Sequence, residues 1–122
     1  MIRWIAAGLL GTLHALNGLF MLVDGPRWYS ITPGAAMTGP YNSHFVEDVG
    51  VAFIAAGLGL VFRAWRAIYW PAAVAGAAFL MFHALIHIVG FAKHPHDLIS
   101  TVWIVLLAAT ALRAALPGQS DE

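Results

Sequence analysis

Histidines and adjacent acids are where this chain could do chemistry. In FLMFHALIHIVGF, His83 and His87 are four residues apart, which on a helix puts them on one face, one turn above the other, at a spacing a metal ion can bridge. His44, Glu47 and Asp48 follow one another at i, i+3 and i+4 in SHFVED, and His14 stands in TLHALNG. Imidazoles and carboxylates together make a nitrogen and oxygen ligand set suited to zinc, copper, non-haem iron or manganese. Neutral imidazole with carboxylate also lessens the cost of burying the cation. The chain has 0 cysteines, which removes disulfides, thiolate metal sites, iron–sulfur ligation and cysteine nucleophiles. No Ser-His-Asp arrangement, phosphate loop or nucleophile elbow is present, so an enzymatic role would rest on the metal alone.

These residues sit in an apolar setting. Of 122 residues, 61% are hydrophobic and 10% charged, with a mean hydropathy of +0.78, against about 25% charged in ordinary soluble domains. A helix that crosses the hydrocarbon needs roughly 20 apolar residues, and four runs fit: 2–23, 44–62, 71–92 and 98–116. The expectation is a single all-α domain, a polytopic four-helix bundle in the inner (plasma) membrane, with the lipid bilayer as its surroundings. Arg3 gives the first run the look of a secretory signal, but no small-residue cleavage site follows, so it is read as a retained span. The formal net charge is +0, and no charge field argues for nucleic acid.

Between the first two runs, residues 24–43 carry three prolines and three glycines, the composition of an ordered loop. Asn42 or Ser43 can cap the helix that follows. RAWRAIYWP and KHPHD are short turns, with His94 and His96 solvated in the second. Lys and Arg accumulate in cytoplasmic loops. The N-terminus, the second loop and the C-terminus share Arg3, Arg63, Arg66 and Arg113, against Arg27 and Lys93 opposite, so both termini are expected in the cytoplasm. Trp4, Trp65, Tyr69 and Trp70 then fall at the inner interface and Trp28, Tyr29 and Tyr41 at the outer one, as aromatic belts require.

With that topology the polar residues converge on the outer leaflet. At about 1.5 Å per residue, His14 lies roughly 13 Å below the outer end, His83 roughly 10 Å, and His87, Glu47 and Asp48 about 5 Å. Small residues, which mark helix contacts in membranes, share their faces: Gly11 and Gly18 with His14, Gly76 and Gly90 with His83 and His87, and Ala52, Ala55 and Gly59 with Glu47 and Asp48. All these ionisable groups are therefore expected to point into the bundle, since an acid facing lipid costs about 2.5 to 3.5 kcal/mol. The resulting expectation is a transition-metal site of His83, His87, Glu47 and Asp48, completed by His14 and His44, in an outward pocket under the loop.

Three other readings use the same residues. His14 and His83 reach similar depth on different helices and could be the axial ligands of a haem b. Histidines and acids inside a membrane also form metal-free relays for protons or substrates. Last, a polar cluster can simply fix helix register in an accessory subunit, within a homo-oligomer or a larger membrane complex.

The segment GPYNSHFVEDVG, through Pro40, Tyr41, Asn42, His44, Phe45, Val46, Asp48 and Gly50, resembles a pattern in small bacterial four-helix membrane proteins, broadly DoxX-like. The resemblance implies architecture and no chemistry, and the histidines of the first and third spans lie outside it.

Overall fold

The computed structural model of the chain describes residues 1–93 and 98–118, Lys93 by its backbone alone. His94 and His96 lie outside the described residues. The described chain is helical throughout, without a strand: α1 (Ile2–Val23), α2 (Gly25–Ile31), α3 (Ser43–Trp65), α4 (Trp70–Lys93) and α5 (Leu98–Ala115), with 3-10 turns at Ala35–Thr38 and Ala67–Tyr69. Four of these segments are long and apolar enough to cross a membrane. The end of the bundle that carries residues 24–43 is called here the loop end, and the other the termini end.

The four long helices begin and end within three residues of the apolar runs read from the sequence. Asn42 is the cap of α3, its side chain accepting from the Phe45 amide at 3.1 Å. The 24–43 segment is more regular than its prolines and glycines suggest. Asp24 caps α2 by accepting from the Arg27 amide, and Pro26 occupies the first turn, where its missing N–H has no helical partner to lose.

Packing follows backbone proximity. A Cβ on Gly11 would lie 2.6 Å from the Gly57 carbonyl oxygen, and one on Gly18 would lie 2.3 Å from that of Gly50. The pairs 11/57 and 18/50 run in opposite senses, so α1 and α3 are antiparallel and in near-backbone contact. Gly76 against Ala56 and Gly59 against Ala72 do the same for α3 and α4. The remaining interior is mostly small: Ala7, Ala73, Ala77, Ala84, Ala108 and Ala111 are buried, whereas Leu9, Leu16, Phe82, Ile86 and Ile99 stand outside. Small residues within and large apolar ones without is the arrangement helices adopt in lipid, where close backbone packing replaces the hydrophobic drive.

At the termini end, Arg3 donates from its guanidinium to the carbonyls of Arg113 and Leu116, satisfying the open end of α5 with a cation that its dipole favours. Arg63 is buried there, its guanidinium carbon 4.5 Å from the centre of the Trp4 ring.

Candidate functional site

The histidines gather around one aromatic ring. α1 presents Leu10, Gly11, His14 and Gly18 to the interior, and α3 presents Val46, Gly50, Phe53, Gly57 and Leu60. The glycine pairs set the register that brings His14 level with Phe53, and the two rings stack at 5.7 Å with 16° between their planes. From α4, His83 meets Phe53 edge-on at 5.4 Å, while Phe79 packs on Phe53 at 5.3 Å. His87, one turn further toward the loop end, meets the His83 ring at 4.8 Å.

Burial grades along this file. His14 is 7% exposed, and its Nε2 is buried without a hydrogen-bond partner among the described residues. His83 and His87 are half-buried. Asn17, one turn above His14, accepts a hydrogen bond from the Trp28 indole at 3.0 Å, and its amide contacts the Met21 sulfur. The expectation that Trp28 serves as an interfacial anchor thus needs an addition: its indole N–H fastens α2 to α1.

The acids do not join the histidines. Glu47 is exposed, and His44 and Asp48 form a contact at 3.4 Å with side chains 85% and 70% exposed. The expected inward facing of Glu47 and Asp48 is therefore corrected. Two stripes of small residues run along α3, and the contact with α1 uses the one through Gly50 and Gly57. At about 100° per residue, Asp48 then lies roughly 160° round the helix from Gly50, and Glu47 roughly 120° from Phe53. Ala55, on the expected stripe, is exposed, and Gly59 further along it is buried against α4 rather than α1. Similarly, Gly90 meets nothing within 4 Å, so the small-residue face of α4 ends before the loop end. Among the described residues, no group of three or more His, Asp or Glu stands ready to hold a metal ion.

Phe53, the centre of the cluster, was not singled out by sequence reasoning. Its signal is its place in the stripe Val46, Gly50, Phe53, Gly57, as the one large side chain among small ones. Toward the termini end the interior turns apolar, with Leu10, Gly57 and Leu60 buried. Along α3 the next buried polar side chain is Arg63, about 15 Å from Phe53. The imidazole file thus belongs to one half of the bundle. In comparisons with family models, curated proteins and solved structures, nothing matches the chain.

Proposed function

We propose that the protein binds a transition metal ion within the loop-end half of its bundle, through His83 and His87, with His14 as a third nitrogen. The observation that carries this reading is the buried, unpartnered Nε2 of His14 at the level of His83. An imidazole nitrogen left unsatisfied in the interior costs about 1–3 kcal/mol, and a coordinated cation or its water would remove that cost. Closing three nitrogens on one ion requires ring rotations around Phe53. A set of neutral imidazoles favours zinc or copper over manganese, and copper or iron there would make the site redox-active.

His44, Glu47 and Asp48, exposed at the loop end, then act at the entrance, where acids raise the local concentration of cations. A haem between His14 and His83 would have to displace the Phe53 ring. A proton relay through the whole membrane would have to cross the apolar stretch between Phe53 and Arg63. The four arginines at the termini end favour a cytoplasmic location for both termini in the inner membrane, so that metal enters from outside.

The test is elemental analysis of the full chain, purified in detergent, stripped with chelator and reloaded with zinc or copper(II). One tightly held equivalent is expected, reduced at least tenfold by His87→Ala or His83→Ala and unchanged by His96→Ala. Equal loss from His87→Ala and His96→Ala, or retention in the double variant of His83 and His87, would overturn the reading.

A further inference from the structure

A net charge of zero conceals a separation of charge along the bundle. Arg3, Arg63, Arg66 and Arg113 lie at the termini end, and among the described residues Asp24, Glu47 and Asp48 lie at the loop end, with Arg27 beside them. Asp121 and Glu122 fall outside the described residues. Arg3 and Arg63 face inward, one onto the end of α5 and the other under Trp4. Arg66 differs. It is exposed in the turn between α3 and α4, with its guanidinium carbon 4.9 Å from the centre of the Trp65 ring.

The surroundings of Arg66 are unusual for a water-facing turn. Trp65, Ile68 and Trp70 are 64%, 74% and 41% exposed, and Tyr69 stacks on Trp65 at 6.0 Å. Large apolar and aromatic side chains around a cation, at the level where membrane-spanning helices end, match the zone where glycerol and phosphate meet acyl chains. A guanidinium pairs with phosphate through two parallel hydrogen bonds, and an aromatic ring beneath it fixes its plane.

We propose that this turn binds the headgroup of an anionic phospholipid, with the phosphate on Arg66 and the acyl chains against Trp65, Ile68 and Trp70. The basic charge gathered at this end selects an anionic headgroup over a zwitterionic one. The exposed Ile68 and Trp65 select a lipid over free phosphate, which offers them nothing to cover. The site is separate from the histidines and does not depend on their function.

Native mass spectrometry of the full chain in detergent, titrated with phosphatidylglycerol or phosphatidylcholine of identical acyl chains, tests the assignment. Wild type should retain phosphatidylglycerol preferentially. Arg66→Gln should weaken that retention about fivefold, the usual effect of one basic residue at an anionic surface, and Arg27→Gln at the loop end should leave it unchanged. Because Arg66 is exposed, the variant should keep the wild-type circular dichroism spectrum. Equal retention of the two lipids by wild type, an equal loss in Arg27→Gln, or displacement of phosphatidylglycerol by millimolar inorganic phosphate would each overturn it.

Discussion

His14 is the residue at which stability and the proposed function oppose one another. Its ring stacks well on Phe53, but its Nε2 has no hydrogen-bond partner among the described residues. His14→Phe keeps an aromatic ring of similar shape and removes the unsatisfied nitrogen. In metal-free protein it should therefore raise unfolding stability by about 1–3 kcal/mol, read as a higher melting temperature in detergent. It should also weaken zinc or copper retention. A lower melting temperature with metal retention intact would mean that the nitrogen is satisfied in the membrane and that His14 is a packing residue. The histidines were legible in the sequence because imidazoles inside an apolar run are conspicuous and their i, i+4 spacing needs only a helix. The facing of Glu47 and Asp48 was not. Both stripes on α3 contain small residues, and the helix packed on each decides which part of it is buried.

At the scale of elements, the spans were legible because length and apolarity suffice to define them, whereas α2 was obscured by the density of proline and glycine that also starts it. The Asp24-Gly25-Pro26 start is a capping signal once the chain after it is known to be helical. What holds α2 down is the Trp28 to Asn17 hydrogen bond. Trp28→Phe keeps the apolar contact and removes the donor, at a cost of about 1 kcal/mol. Amide hydrogen exchange of residues 25–31 should accelerate severalfold in that variant while the centre of α1 stays protected; unchanged exchange would show that apolar packing alone fixes the segment. The α1 and α3 contact is less forgiving. A Cβ on Gly57 would lie 2.5 Å from the Gly11 carbonyl oxygen, whereas one on Gly90 would meet nothing within 4 Å. Gly57→Ala should destabilise by about 1–3 kcal/mol because backbone, unlike a side-chain tip, cannot step aside. Gly90→Ala should cause no loss. Equal melting temperatures for the two variants would contradict the antiparallel register of α1 and α3, and with it the position of His14 beside Phe53.

For the whole molecule, the deciding question is which side of the membrane the histidine file faces. The file occupies one half of the bundle, with buried leucines and glycines between it and Arg63, so a ligand of the proposed site would arrive through the loop end. The arginines at the opposite end favour that end for the cytoplasm, which would make the ligand extracytoplasmic. The chain has 0 cysteines, so a single introduced thiol reports its own location without background. Ser30 and Pro117 are exposed at opposite ends, in α2 and just after α5. In intact cells a membrane-impermeant maleimide should modify Ser30→Cys, and it should reach Pro117→Cys only after permeabilisation. The reverse pattern would turn the bundle over, and the histidines would then draw their ligand from the cytoplasm.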